Sequence, residues 1–209
     1  MIRRFFEVRV PHVVAGLLLW GTAAASVAVA EAPLVVRIAV AEDRRLAGPD
    51  FLPYLSDPDP AVRARAALAL GRIGRAEHVG AIEPLLRDPV VAVRTEAAFA
   101  LGEIEDSTAA AALARHLLSG TETEPEVRAL CVEGLGKLGE GAGACRRALL
   151  DPDPLVARAA LLAAWKIPDA APFEDCLRLA ASPHPEVRRA AGYCLMRLAG
   201  TKPAGRTAT

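Results

Sequence analysis

From about residue 47 onward, apolar residues recur in short blocks at helical spacing, and the blocks are separated by Asp-Pro, Glu-Pro or Ser-Pro turns. In the first block Val62, Ala66, Ala69, Leu70 and Ile73 stand at offsets 0, +4, +7, +8 and +11 from the valine. At about 100° per residue these positions form one stripe, so the segment predicts a helix that buries a single face. The valine returns at 93, 127, 156 and 187, with separations of 31, 34, 29 and 31 residues. Offsets +4 and +7 are Ala, Gly or Cys in every copy, which lets neighbouring helices approach closely. A period of this length is typical of a unit of two helices.

Local signals mark where the helices begin and end. Asp59 and Asp153 are predicted N-caps, and Pro60, Pro125, Pro154 and Pro185 suit the first helical position. Gly74 and Gly139 are placed to close their helices. Ahead of each turn lies a shorter apolar stretch, at 51–55, 79–86, 109–118, 142–150 and 173–180, read as the first helix of each unit. Five antiparallel helix pairs stacked in series predict an all-α, right-handed α-α superhelix over residues 47–200. Residues 31–46 read as an N-terminal capping helix. Residues 201–209 lack apolar periodicity and read as a disordered tail.

The units, written Asp57-Pro-Asp-Pro-Ala-Val62-Arg63 and closing Ala69-Leu70-Gly71-Arg72-Ile73-Gly74, resemble armadillo-like HEAT repeats of the phycobilisome-lyase-like subtype over about residues 50–200. The resemblance implies a ladder of acid and arginine six positions apart: Asp57/Arg63, Asp88/Arg94 and Glu122/Arg128. Copy four carries Ala157 where Asp151 would need its arginine, with Arg158 one step off. Copy five has Ser182 in place of the acid. The ladder is therefore expected to weaken toward the C-terminus.

The first thirty residues follow a different logic. Arg3, Arg4 and Arg9 precede an apolar run from Val13 to Val27, which exits through Ala28-Val29-Ala30. That order is the pattern of a secretory signal peptide, so the chain is expected to be exported to the periplasm or the extracellular space. Residues 13–30 are also just long enough to span a bilayer, so an uncleaved N-terminal anchor is the alternative. Removing residues 1–30 takes three Arg and one Glu from a chain with 25 basic and 25 acidic residues, leaving net charge −2. That balance speaks against nucleic acid, and no membrane span is expected once the signal is removed. The chain contains 22 Arg against 3 Lys and neither Asn nor Gln. This composition fits GC-rich coding or selection against thermolabile amides.

Candidate chemistry is sparse. His12 falls in the signal segment, while His78, His116 and His184 fall in three different units and read as scattered surface residues. No His-Glu pair, Gly-x-Ser-x-Gly elbow or phosphate-binding loop is present, so no catalytic residue, metal or cofactor is expected. Cys131, Cys145, Cys176 and Cys194 align with core positions and read as small buried hydrophobes; a Cys176–Cys194 bridge stapling the last unit is the alternative.

The remaining signal lies opposite the core stripe. Offset +6 of the second helices holds Leu68, Phe99, Glu133, Leu162 and Tyr193, four of five apolar or aromatic, with Arg65, Arg158 and Arg189 among the flanking charges. An apolar line edged by charge is expected to bind a protein partner. The leading expectation is thus an exported, non-catalytic interaction scaffold. The order of signal, capping helix and repeats also resembles the front half of exported bacterial proteins that end in a cyclophilin-type prolyl isomerase. That resemblance implies the scaffold portion of a truncated isomerase as an alternative, and the repeat subtype implies a bilin-lyase-like subunit. Cleavage is expected to leave Glu31 as the mature N-terminus. N-terminal sequencing of exported protein checks this, and intact Met1 in the membrane fraction would establish the anchor instead.

Overall fold

The computed structural model describes residues 33–46, 48–167, 169–170 and 173–200. The segments read as signal peptide and C-terminal tail lie outside the described residues. The chain divides into two compact units, residues 1–37 and 38–209. Of the first, only the start of helix α1 (Leu34–Asp43) is described; the account below concerns the second. Among the described residues no helix is long and apolar enough to cross a membrane.

The second unit is an α-solenoid of five helix pairs. The first helices are α2 (Leu52–Leu55), α4 (Val79–Ile82), α6 (Ser107–Ser119), α8 (Ala142–Ala148) and α10 (Phe173–Ala180). The second helices are α3 (Pro60–Ile73), α5 (Val91–Glu103), α7 (Pro125–Leu138), α9 (Pro154–Ala164) and α11 (Pro185–Gly200). The Asp59 carboxylate accepts from the Ala61 amide at 2.9 Å and Asp153 from the Leu155 amide at 2.9 Å. Each thereby satisfies an amide that the helix itself leaves open. Gly74 and Gly139 end α3 and α7 at φ 73° and 72°, the left-handed region that glycine enters without strain.

One expected helix is broken. Residues 79–86 were expected to be continuous, yet α4 spans only four residues between 3-10 turns at Ala76–His78 and Glu83–Arg87. Pro84 explains the break, since it offers no amide and its ring crowds the preceding turn. In the fourth unit the second helix stops at Ala164, short of the buried Ile167, because the residue before Pro168 is steered away from helical geometry.

The second helices pack on one another in sequence, α3 on α5, α5 on α7, α7 on α9 and α9 on α11. The apolar stripe is inside: Val62, Ala66, Leu70, Val93, Leu101, Val127, Leu135, Val156 and Ala164 are buried. What lets α3, α5 and α7 each approach the next helix so closely is the glycine at offset +9. A Cβ on Gly71 would stand 2.5 Å from Ala100 Cα, one on Gly102 2.9 Å from Gly134 Cα, and one on Gly136 2.6 Å from Ala163 Cβ. The +9 glycine of one unit thus sits on the small +7 residue of the next, backbone against backbone.

An ion-pair ladder joins the same units at their turns. Arg63 donates through Nε and Nη2 to both carboxylate oxygens of Asp88, at 2.8 and 2.9 Å. Arg94 does the same to Glu122 at 2.8 and 3.1 Å, and Arg128 to Asp151 at 2.8 and 3.0 Å. The remaining nitrogen of each turns back to its own unit: Arg63 Nη1 donates to the Asp57 carbonyl at 2.8 Å and Arg94 Nη1 to the Asp88 carbonyl at 2.9 Å. The expected pairing within a unit is therefore corrected. The arginine bonds its own turn's backbone, and its charge partner is the acid of the next unit. Each acid also accepts from the amide two residues on, as Asp88 does from Val90 at 2.9 Å. Asp151 has its rung after all, and the break lies one step later, where Ala157 faces Ser182. Arg188 at the end bonds only the carbonyls of Ser182 and Pro183, each at 2.8 Å.

The ladder favours the ionised form of Asp88 and Glu122. The Arg63 guanidinium, against desolvation, keeps the Asp88 carboxyl below its ordinary value. Burial raises that of Glu122, but the hydrogen bonds from Arg94, the Glu124 amide and His116 outweigh it and leave the net shift downward.

Two outcomes follow from this packing. Gly136→Ala is expected to cost roughly 1–3 kcal/mol in a denaturant titration through overpacking, whereas Gly143→Ala, whose added Cβ meets nothing within 4 Å, should be neutral or slightly stabilising. Because the folded-state values of Asp88 and Glu122 are depressed, their contribution is complete above the unfolded carboxylate values, 3.8 and 4.5, and is lost as pH falls through the folded ones. Glu122→Gln should therefore lower stability at neutral pH by about 2 kcal/mol and flatten the acid limb of the stability curve, as measured by denaturation at a series of pH values.

Candidate interaction surface

The second helices carry the expected line. Leu68, Phe99 and Leu162 are half-buried, while Glu133 and Tyr193 are exposed. Phe99 is partly covered by a long side chain of the next helix: Lys137 Nζ lies 5.1 Å from the Phe99 ring centre.

The flanking charges behave differently along the stack. Arg65 and Arg72 both pair with Glu42 of α1, the second at 3.4 Å. Lys137 pairs with Glu103. In the last two units Arg158 and Arg189 pair with no carboxylate of the described residues. These two arginines, with Leu162, Tyr193, Glu186 and Ala190, line a depression of about 240 Å³. Four of the seven residues singled out from the sequence thus meet at one place; Leu68, Phe99 and Arg65 lie in earlier units.

Trp165 belongs to this region and was missed. It occupies offset +9, where the first three units have the close-approach glycine, and that departure was visible in the repeat. Its ring stands edge-on to Tyr193, with centroids 6.1 Å apart and planes at 81°. Arg197 lies over the Trp165 ring at 4.0 Å and Lys166 Nζ at 5.6 Å. Arginine and lysine over an indole keep their charge available on their outer side.

Two larger clefts, about 520 and 510 Å³, open beside the ladder, around Arg94–Glu122 and Arg128–Asp151. The ladder charges there are already paired with one another. Two histidines expected at the surface are in fact buried: His78 Nδ1 lies 3.2 Å from the Leu70 carbonyl oxygen, and His116 Nε2 lies 3.1 Å from Glu122 Oε2. His78 lies in the 3-10 turn ahead of α4 and His116 in α6, and for each a polar partner makes burial tolerable. Among the described residues no group of three His, Cys, Asp or Glu is placed to hold a metal.

All four cysteines are buried thiols. Cys145 Sγ lies 3.6 Å from the Ala160 carbonyl oxygen, and Cys176 and Cys194 stand 3.6 Å apart, Sγ to Sγ. Burial pushes the Cys145 and Cys194 thiols up to about 12, so both are protonated and unreactive at neutral pH.

Comparison with known proteins places this arrangement. A family model for HEAT repeats matches residues 48–136, and a second HEAT-repeat model matches residues 173–201; together they cover more than half of the chain. No curated protein matches it. Among solved structures, the chain is similar to the complex of CpcE and CpcF of phycocyanin lyase from Nostoc sp. PCC7120, at 24 % identity and TM-score 0.55, covering 91 % of this chain and 79 % of that one. An engineered protein from a structural genomics programme is similar at 22 % identity and TM-score 0.55, covering 83 % and 87 %. A designed armadillo repeat protein follows at 20 % identity and TM-score 0.50, covering 77 % and 85 %. At these identities the likeness concerns the fold.

Proposed function

The chain belongs to the HEAT-repeat family, and on that premise we propose that it is an exported, non-catalytic scaffold that binds another protein along its second-helix face. Stacked repeats offer an extended surface and no chemistry of their own. The observation that carries the reading is the meeting of Leu162, Tyr193, Arg158 and Arg189 around one depression, with Phe99 and Leu68 continuing the line toward α1. Apolar and aromatic side chains framed by arginine are the residue types that dominate binding energy at protein interfaces. Export rests on the order of basic start, apolar run and Ala-x-Ala exit in residues 1–30. No membrane contact and no nucleic acid is needed by this reading.

A photo-reactive phenylalanine analogue placed at Tyr193 or Phe99 should give a discrete protein adduct in intact cells. The same probe at Leu150, which is 63 % exposed on the turn side, should not. The double variant Phe99→Ser, Tyr193→Ser should lose that partner while keeping its helical circular dichroism. Undiminished association in the folded double variant would refute the assignment of this face.

A further inference from the structure

We infer that the C-terminal end of this face recognises an acidic peptide segment with an apolar anchor; the inference rests on the scaffold reading and specifies its partner. The argument is charge complementarity within the molecule itself. At flanking offsets +2, +3 and +10, unit one carries Arg65 and Arg72, both neutralised by Glu42. Unit two carries Glu96 and Glu103, and unit three carries Lys137, paired with Glu103. Units four and five carry Arg158, Lys166, Arg189 and Arg197 at these offsets and no carboxylate. The one acid at the depression, Glu186, lies 3.8 Å from His184. Four cations against one carboxylate leave this end of the face at formal +3, on a chain whose overall charge is zero.

The cations are also presented for a particular shape of ligand. Arg158 and Arg189 sit on neighbouring helices and line one depression, with Leu162 and Tyr193 one turn further along the same two helices. A guanidinium offers a planar fork that matches a carboxylate in two parallel hydrogen bonds. Arg158 is half-buried, so a pair formed there is screened less than one at an open surface. Leu162 and Tyr193 ask for an aliphatic or aromatic side chain next to the carboxylates, and Trp165, edge-on to Tyr193 and covered by Arg197, extends the surface. Stacked bases could use the aromatics, but an aliphatic floor and a single short depression favour a peptide.

The test is fluorescence anisotropy with the purified full chain and three probes: a labelled peptide of glutamates flanking a central Leu-Phe pair, the same peptide with lysines, and a single-stranded oligothymidine. The acidic peptide should bind best, and added salt should weaken it. R158E/R189E should weaken the acidic peptide by about tenfold or more and reverse the preference toward the lysine peptide. R158Q/R189Q, with less risk to the fold, should show the loss without the reversal. Equal binding of the two peptides, unchanged binding in both variants, or tighter binding of the oligothymidine would each overturn the inference. Self-association of the chain that R158E/R189E abolishes, with no peptide binding, would assign the depression to a second copy and overturn it as well. If the adduct at Tyr193 forms while the acidic peptide fails, the scaffold reading stands and only this specification falls; if both fail, the reading falls with it.

Discussion

Backbone contact between successive second helices is the constraint on which the rest of the molecule depends. Glycine inside a helix costs about 1 kcal/mol relative to alanine, yet Gly71, Gly102 and Gly136 stand in the last turns of α3, α5 and α7. Their neighbours show why: no Cβ fits between them and Ala100, Gly134 or Ala163. The dispersion gained by close packing along each helix pair offsets the propensity cost. The packing also brings each turn within reach of the arginine in the preceding unit.

That reach gives the ladder a direction. One acid closes its own turn by accepting an amide and receives the arginine of the unit before it. A half-rung would leave a partly buried charge without its partner, which costs more than having neither group. Between units four and five both groups are missing together, as Ala157 and Ser182, so nothing is left unpaired there. The same junction lacks the +9 glycine and has Trp165 instead. Two departures from the repeat thus coincide, and beside them lies the depression whose arginines pair with no carboxylate of the described residues. In the earlier units, by contrast, Glu42 and Glu103 neutralise the cations of the same face.

The helix pairs, their order, the caps at Asp59 and Asp153, the closing glycines and the buried stripe were all legible in the sequence, because each depends on spacing within one segment. Pro84 stands inside an otherwise helical pattern, and its missing amide breaks the helix that the apolar spacing alone predicts. The partners of charged groups could not be read in the same way. Arg63 and Asp57 lie six residues apart and invite pairing, yet the carboxylate that Arg63 meets is Asp88, a choice made by how the next unit stacks. His78 and His116 have the sequence setting of surface residues, and stacking sets one against the Leu70 carbonyl and the other against a ladder acid. The candidate surface divides along the same line. A projection of one helix picks out Leu68, Phe99, Leu162 and Tyr193 one by one, because periodicity is a property of the chain. That Arg158, Arg189, Leu162 and Tyr193 line one depression, with Trp165 against Tyr193, while Arg65 is spent on Glu42, was decided only by tertiary structure, because contact between residues of different units depends on how closely their backbones can approach.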